Sequence, residues 1–202
     1  MAKTRTFIAV DALDAVQAAA LMAIDRLRGA AENVKWVEPD NMHWTMQFLG
    51  DLTVQEMAEV CLRTTRAAAR HEAFELSARG VGAFPSIQRP RTLWLGAGQG
   101  GEHMVALHAT IDDALFSLGF RRDSRAYTPH VTLGRVGPGG HAGPVVTERL
   151  AKLADFDGGV MEVAEVIVYA SELSREGPTY TVLARAPLAG PHSLEGRGIS
   201  SP

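Results

Sequence analysis

The sequence predicts an α+β fold in which short β-strands and amphipathic helices follow one another along one chain. Three observations predict it. Segments with apolar residues three or four positions apart, typical of helices, are interleaved with segments of alternating apolar and polar residues, typical of strands. Two strand segments repeat one polar pattern, His-x-Thr, once in each half of the chain. The 202 residues are 46% hydrophobic, which is enough for the core of a single domain.

Four helices are predicted from apolar spacing and from the residues that begin and end them. Asp11 or Asp14 is expected to cap the first helix, and Gly29 to end it. Thr53 is expected to begin the second, because Glu56 three positions later completes a capping box. In chain order, the predicted helices cover residues 16–27, 53–70, 102–118 and 145–153.

Strands are predicted where short apolar or alternating runs are bounded by turn residues. Residues 39–41 form a turn before the first His-x-Thr segment, and Gly177 with Pro178 joins the last two strands. In chain order, the predicted strands cover residues 6–10, 43–50, 74–81, 92–95, 127–135, 160–169 and 180–184, and residues 35–37 are extended.

The strand at 43–50 is the segment around which the chain is organised. Alternation of side chains predicts one polar and one apolar face. The polar face is predicted to hold His43, Thr45 and Gln47. The apolar face, expected to pack into the core, is predicted to hold Trp44, Met46 and Phe48. At a rise near 3.3 Å per residue, an imidazole and a hydroxyl two positions apart could both reach one small anion.

The pattern returns at His130 and Thr132, with Val131 and Leu133 on the opposite face and Gly134 after them. A single His-x-Thr is common by chance, whereas two copies in amphipathic strands favour a shared site. The alternatives are histidines hydrogen-bonded within the sheet and threonines that are ordinary β-branched strand residues.

The two motifs resemble the signature of the two-histidine (2H) phosphoesterases. The surrounding chain resembles their RNA 2′,3′-cyclic phosphodiesterase branch, once called 2′-5′ RNA ligases. Residues 6–10 resemble the first strand of that family, 35–37 its lead-in to the first motif, and 89–96 part of its middle strand pair. The resemblance covers about residues 4–188.

The resemblance implies two pseudo-symmetric lobes around a central cleft, with one motif from each lobe. Each lobe would be an antiparallel sheet with helices on its outer face. Residues 1–188 would form this domain, and residues 189–202, polar with Gly and Pro, are predicted to be a disordered tail.

The resemblance also implies hydrolysis of RNA 2′,3′-cyclic phosphate ends to 2′-phosphomonoester ends. His43 would be the general acid and His130 the general base. Imidazole suits both roles, because its ordinary pKa near 6.5 lets one ring be protonated while the other is neutral. No metal and no cofactor is expected. The alternatives are the reverse reaction, RNA ligation through a 2′-5′ bond, and an RNA- or nucleotide-binding module without turnover.

Four further residues are candidates for substrate contact. Thr45 and Thr132 would donate hydrogen bonds to the non-bridging phosphate oxygens. Arg135 falls on the Val131 face by strict alternation, so it would reach phosphate only if the strand ends or twists there. Tyr127 would either stack on a base or pack beneath the second motif.

The formal net charge of −3 excludes a protein coated with basic residues for bulk nucleic-acid binding. A bound RNA or oligonucleotide with a 2′,3′-cyclic phosphate end would therefore need a local basic patch. The candidates for it, with solvated loop charges as the alternative, are Arg89, Arg91, Arg121, Arg122 and Arg125. We expect the protein to be a monomer.

No membrane span is predicted, since the sequence has no apolar run of about 18 residues. No signal region is predicted either, because residues 1–5 do not form an apolar segment. We therefore expect a cytoplasmic protein. Cys61 is the single cysteine, so an internal disulfide is excluded. It is interpreted as a small apolar side chain inside the second helix rather than as a nucleophile.

Overall fold

The computed structural model describes residues 3–30, 33–122, 126–137, 144–174 and 177–189. The strands are β1 (Thr4–Asp11), β2 (Val34–Trp36), β3 (His43–Leu52), β4 (Phe74–Phe84), β5 (Thr92–Ala97), β6 (His130–Val136), β7 (Asp157–Val163), β8 (Glu165–Leu173) and β9 (Pro178–Pro187). The helices are α1 (Asp14–Arg28), α2 (Val54–Ala68), α3 (Gly101–Phe116) and α4 (Pro144–Lys152), with a 3-10 turn at Pro39–Asn41.

The strands form one antiparallel sheet with the order β7-β4-β5-β6-β3-β1-β8-β9, and β2 pairs with β6. The strands β3 and β6, which carry the two His-x-Thr motifs, are neighbours at its centre. We call β3, β1, β8 and β9 the His43 lobe, and β6, β5, β4 and β7 the His130 lobe. The predicted α+β class with antiparallel sheets is confirmed.

The lobes are interleaved along the chain, so neither lobe is a half of the sequence. The His43 lobe joins two strands near the start of the chain to two near its end, since β1 pairs with both β3 and β8. The strands of the His130 lobe lie between these in sequence, and its outer pair is β4 with β7. Each motif therefore stands at the inner edge of a four-stranded lobe.

The helices cover one face of the sheet. Trp44 and Met46 of β3 and Val131 and Leu133 of β6 are buried in a core that also takes residues from all four helices. Burying a large apolar side chain contributes about 1.5–3 kcal/mol, so this face anchors both motifs. The prediction that these four residues face the core is confirmed.

The opposite face of the His43 lobe carries a second, smaller cluster. It consists of Phe7, Ala9, Ile167 and Tyr169, with Tyr180 packed against it. The strand β1 is therefore apolar on both faces, which places an aromatic surface beside the first motif.

The beginnings of the first two helices differ from each other in how they are capped. At α2 the predicted capping box is confirmed, because Thr53 Oγ1 accepts from the Glu56 amide and the Glu56 carboxylate accepts from the Thr53 amide. At α1 the prediction is wrong, because Leu13 occupies the N-cap without a side-chain hydrogen bond. Asp11 instead belongs to β1, where its carboxylate accepts a hydrogen bond from Tyr169.

The segment predicted as one strand at 160–169 is two strands. Ala164 separates β7 from β8, because β7 pairs with β4 in one lobe and β8 pairs with β1 in the other. Hydrophobic alternation runs through this junction and does not reveal that the pairing partner changes.

At the C-terminus, Ala189 is part of the fold rather than the first residue of a tail. Its amide donates to the His71 carbonyl, and its own carbonyl accepts from the Ala73 amide. The rest of the predicted tail, residues 190–202, lies outside the described residues. Within the described ranges, no helix is long and apolar enough to cross a membrane.

Two β-bulges change the faces of β3. Its register with β1 pairs Phe48 with Phe7, Gln47 with Ile8 and Thr45 with Ala9, so Met46 and Leu49 are the extra residues. The face prediction for Gln47 and Phe48 is therefore wrong. Gln47 Nε2 donates to Asp112 Oδ1 of α3 at 3.2 Å, on the helix side. Phe48 joins the face of His43 and Thr45 with 67% of its surface exposed.

Candidate active site

The two His-x-Thr motifs meet across the central strand pair. Trp44 of β3 is the antiparallel partner of Val131 of β6. Extending that register by one residue in each direction sets His43 opposite Thr132 and Thr45 opposite His130. Because Trp44 and Val131 face the helices, these four half-buried side chains stand together on the other face. Each histidine thus faces the threonine of the other lobe.

Both histidines are held through the same ring nitrogen. His43 Nδ1 lies 2.8 Å from the Asn41 carbonyl oxygen, and His130 Nδ1 lies 2.7 Å from the Thr128 carbonyl oxygen. A carbonyl only accepts hydrogen bonds, so Nδ1 carries the hydrogen in both rings. The other nitrogen, Nε2, is left to gain or lose a proton.

The site lowers the pKa of both imidazoles below the ordinary value. Burial is the largest cause at each ring, because it disfavours the charged form. The positive charge of Arg135 acts in the same direction on both, and that of His130 also lowers the pKa of His43. The backbone hydrogen bond at each ring opposes the shift, and at His43 so does the carboxylate of Asp11.

Aromatic rings of each lobe pack against its own histidine. The His43 ring centroid lies 5.0 Å from that of Phe7 and 5.5 Å from that of Tyr180. The His130 ring centroid lies 4.9 Å from that of Phe84 and 6.4 Å from that of Trp94. These rings exclude water from one side of each imidazole and restrict its rotation.

Sequence reasoning missed these aromatic residues, although one signal was present. The segment at 6–10 is apolar at consecutive positions, which indicates a strand covered on both faces. An apolar face beside the first motif follows from that pattern. No comparable signal marks Phe84 or Trp94, because their face depends on the register of β4 with β5.

Arg135 reaches the site because β6 is irregular. The pairing of β5 with β6 shifts between Leu93 and Trp94, which leaves Leu133 as an extra residue. Leu133 and Gly134 are consecutive buried positions, and Arg135 returns to the exposed face. Its guanidinium charge acts on both histidines, as described above, and Nη1 lies 3.4 Å from Thr92 Oγ1. The strand therefore deviates from strict alternation there, which is the condition under which the sequence predicts that Arg135 could reach phosphate.

Tyr127 lies in a different setting. Its ring stacks on His108 of α3, with centroids 4.1 Å apart and planes 3° from parallel. Its hydroxyl is buried, and burial raises the pKa of that hydroxyl far above the ordinary value. This position matches the alternative in which Tyr127 packs beneath the second motif, and we leave it out of the groups proposed to contact substrate.

The described residues of the predicted basic patch lie in different settings. Arg122 is bound to α3, where it pairs with Asp112 and Asp113 and covers the Phe116 ring. Arg89 and Arg91 are exposed in the loop before β5. Arg121 is exposed beside Arg122, and Arg125 lies outside the described residues.

A cavity of about 450 Å³ opens beside His43. Its polar lining includes Asp11, Asp40 and Thr179, and its aromatic lining is Tyr169 and Tyr180. Tyr169 Oη donates to Asp11 Oδ1 at 2.7 Å, which fixes that carboxylate. Across the described part of the chain, no three His, Cys, Asp or Glu side chains converge as a metal site requires.

Comparison with known proteins gives concordant matches. The model of the family described as the 2′-5′ RNA ligase superfamily matches residues 14–172. A protein of Methanothermobacter thermautotrophicus named RNA 2′,3′-cyclic phosphodiesterase is 36% identical over 89% of this chain and 96% of its own length. A protein of Archaeoglobus fulgidus with the same name is 34% identical over 87% of this chain and 96% of its own length.

Solved structures share the fold. A crystal structure of a Thermus thermophilus protein superposes with a TM-score of 0.77 at 27% identity, over 93% of this chain and 100% of that one. The crystal structure of E. coli LigT in apo form gives a TM-score of 0.72 at 24% identity, over 94% of this chain and 99% of that one. The second likeness is one of fold alone.

Proposed function

The chain belongs to the 2′-5′ RNA ligase superfamily, and on that premise we propose that it is an RNA 2′,3′-cyclic phosphodiesterase. The product is an RNA end with a 2′-phosphomonoester. The single observation that carries this proposal is the register of the two motifs, which brings two imidazoles and two hydroxyls to one face. The names of the relatives at 30% identity or more agree with it.

The reaction proceeds by attack of water on phosphorus in line with the departing ribose 3′-oxygen. His130 Nε2 accepts a proton from the attacking water, and protonated His43 donates its Nε2 proton to the 3′-oxygen. The bond from phosphorus to the 3′-oxygen breaks, while the bond to the 2′-oxygen remains. Proton exchange with solvent then restores His43 to the protonated and His130 to the neutral form.

The polarity of the two histidines is supported by their different neighbours. Asp11 is the partner of His43 across the β1–β3 pair, and its carboxylate favours the protonated form of that ring. Among the described residues, no carboxylate acts in this way on His130. The negative charge of a bound cyclic phosphate raises the pKa of both rings and so offsets the effect of burial.

Three further side chains stabilise the phosphoryl group. The hydroxyls of Thr45 and Thr132 donate to the non-bridging oxygens, whose charge grows in the transition state. The exposed guanidinium of Arg135 adds a fixed positive charge beside them. A proton donor, a proton acceptor and this set of donors supply the catalysis, so we expect turnover without a metal ion.

The same geometry permits the reverse reaction. If a ribose 5′-hydroxyl takes the place of water, His130 accepts its proton, His43 again donates a proton to the departing 3′-oxygen, and a 2′-5′ bond forms. A binding module without turnover is disfavoured, because both His-x-Thr motifs are complete and both Nε2 atoms are left for proton transfer.

The test is to incubate the purified protein with an oligonucleotide that ends in a 2′,3′-cyclic phosphate, in the presence of EDTA. We expect complete conversion to the 2′-phosphate, identified by its resistance to an enzyme that removes only 3′-phosphates. A 3′-phosphate product would overturn the proposed bond cleavage. Loss of activity in EDTA, restored by one divalent cation, would overturn the proposed acid–base mechanism.

A further inference from the structure

The cavity beside His43 is on the path that the substrate must take. In the proposed reaction His43 protonates the 3′-oxygen, and that oxygen stays on the ribose of the terminal nucleotide. The terminal nucleoside therefore lies on the His43 side of phosphorus. The cavity of about 450 Å³ has His43 in its own wall, so the base attached to that ribose is adjacent to its mouth.

The lining of the cavity suits a nucleobase. Tyr169 and Tyr180 provide aromatic walls, and base stacking on such rings contributes to binding without reading the sequence. The acidic side chains in the lining are Asp11 and Asp40, whose carboxylates accept hydrogen bonds and donate none. N–H groups on a base edge are attracted to these carboxylates.

Asp11 is the acceptor with a fixed position. It sits on β1 directly opposite His43, and the hydroxyl of Tyr169 donates to its Oδ1 at 2.7 Å. A carboxylate has about four lone-pair sites on its two oxygens, so one bond from Tyr169 leaves acceptors for the ligand. Pre-orientation by Tyr169 lowers the conformational entropy lost on binding.

On the premise of the proposed function, we propose that this cavity binds the base of the terminal nucleotide and that Asp11 reads its N–H donors, favouring guanine. The Watson–Crick edge of guanine presents N1–H and N2–H₂ side by side, which match the two oxygens of a carboxylate. Adenine and cytosine present one amino group each. Uracil presents one N–H between two carbonyl oxygens, and those oxygens face the carboxylate unfavourably.

The test compares four oligonucleotides that differ only in the terminal nucleotide bearing the cyclic phosphate. With EDTA present, we expect kcat/KM for terminal guanosine to exceed that for uridine by about tenfold or more, as for one well-placed bidentate contact. Asp11→Asn should bring the ratio close to one, because an amide offers one acceptor in place of two. Tyr169→Phe should give an intermediate ratio, since Asp11 then loses its fixed orientation.

The matched control is Asp51→Asn, which removes the same charge from the far end of β3, where Asp51 pairs with Arg5. Its ratio should equal that of the unsubstituted protein. Any change that Asp11→Asn causes in the pKa of His43 acts on all four substrates alike and cancels in the ratio. A ratio within about twofold of one in the unsubstituted protein, or an unchanged ratio in Asp11→Asn, would overturn the assignment.

Binding provides a readout that does not need turnover. Calorimetry with guanosine and uridine 2′-monophosphates should show the same preference and the same loss in Asp11→Asn. If no cyclic phosphate is hydrolysed but guanosine 2′-monophosphate still binds more tightly, the proposed reaction fails and the base site stands. If hydrolysis proceeds with no base preference in either assay, the base site fails and the reaction stands.

Discussion

In the proposed reaction, two backbone carbonyls determine which nitrogen of each histidine meets the substrate. Asn41 and Thr128 each precede their histidine by two residues and accept from Nδ1. The bond is available whether Nε2 is protonated or not, because Nδ1 carries a hydrogen in both states. Each ring can therefore change its charge during the cycle without turning.

Replacing either histidine should abolish most of the turnover. We expect His43→Ala and His130→Ala each to lower kcat by about 10²–10⁴, the usual contribution of a positioned acid or base. His103→Ala is the matched control, because His103 is an exposed residue of α3 outside both motifs. Retention of more than about a tenth of the turnover in both variants, with the fold intact by circular dichroism, would contradict the roles.

A sulfur substitution separates the two roles. A cyclic substrate with sulfur in place of the 3′-oxygen has a leaving group that needs little protonation. His43→Ala should regain much of its lost rate on this substrate, whereas His130→Ala should not. The opposite pattern of rescue would reverse the polarity of the pair.

The depressed pKa values predict an acidic optimum for the free enzyme. Because the pKa of each imidazole lies below 6.5, most of the free enzyme at pH 7 has both rings neutral. The form with one neutral and one protonated ring therefore becomes more populated as the pH falls. We expect kcat/KM to be bell-shaped with its maximum below pH 6.5. The kcat profile should lie at higher pH, because bound phosphate stabilises the charged ring. An optimum of kcat/KM at or above pH 7 would be inconsistent with two buried imidazoles.

At this scale, the sequence predicted which face of each strand holds the histidine and the threonine, but it did not predict the residues that surround them. Chemical type and spacing identify a motif, since His and Thr two positions apart share a face in any regular strand. Asp11 shows the limit of that reasoning. Its position after an apolar strand suggested a helix cap. The residue that donates a hydrogen bond to its carboxylate is Tyr169, which is 158 positions away in the sequence.

At the scale of the element, bulges determine which side chains of the central strands stand beside the histidines. A bulge in β3 brings Phe48 to the face of His43 and sends Gln47 to α3, and a bulge in β6 brings Arg135 to the histidines. Strict alternation cannot predict a bulge, because the extra residue is defined by the partner strand and not by the sequence around it.

Arg135 provides a test of the bulge in β6. Arg135→Ala should raise KM about tenfold or more and should move the kcat/KM optimum to higher pH, because a charge that lowers both histidine pKa values is lost. Arg135→Lys keeps the charge but not the fork of donors, so it should weaken binding with little shift of the optimum. Identical pH profiles for Arg135→Ala and the unsubstituted protein would show that the guanidinium does not act on the site.

The aromatic wall of His130 depends on one glycine. Gly82 of β4 is the cross-strand partner of Trp94, and a Cβ at Gly82 would lie 2.4 Å from the Trp94 ring. Gly82→Ala must displace that ring, so we expect a loss of about 1–3 kcal/mol in the free energy of unfolding and a lower kcat.

Gly101→Ala is the matched control for this change. A Cβ at Gly101 meets its nearest neighbour at an ordinary 3.4 Å, in the first turn of α3. Alanine should be neutral or slightly stabilising there. Equal unfolding free energies for the two variants, measured by chemical denaturation, would contradict the packing described for Trp94.

At the scale of the whole molecule, charge is distributed unevenly between the two lobes. Asp11 and Asp40 line the cavity of the His43 lobe, whereas Arg89 and Arg91 lie in the loop between β4 and β5 of the His130 lobe. Of the described residues in the predicted patch before the second motif, Arg122 is already paired with two carboxylates. A longer RNA is thus expected to continue from its terminal nucleoside at the His43 lobe toward Arg89 and Arg91 at the His130 lobe.

Salt dependence should measure these contacts. For a single strand that contacts two phosphates beyond the cyclic end, log affinity should fall against log salt with a slope of about −1.4, and Arg89→Ala with Arg91→Ala should flatten it. A cyclic mononucleotide should show a slope nearer zero. Equal slopes for short and long substrates would show that Arg89 and Arg91 do not contact the RNA. That result would not affect the proposed roles of the histidines.

The pairing of β1 with β8 also determines when the protein becomes an enzyme. Ile8 pairs with Val168, so the His43 lobe closes only when strands from opposite ends of the chain meet. Both motifs leave the ribosome well before β8 and β9, and a nascent chain with the two histidines still lacks the strands that carry Tyr169 and Tyr180. Such long-range pairing is slow, because the entropy of closing the loop is lost before the contacts form. We therefore expect catalytic competence to arise late in synthesis, because an incomplete chain lacks the Tyr180 ring that packs against His43.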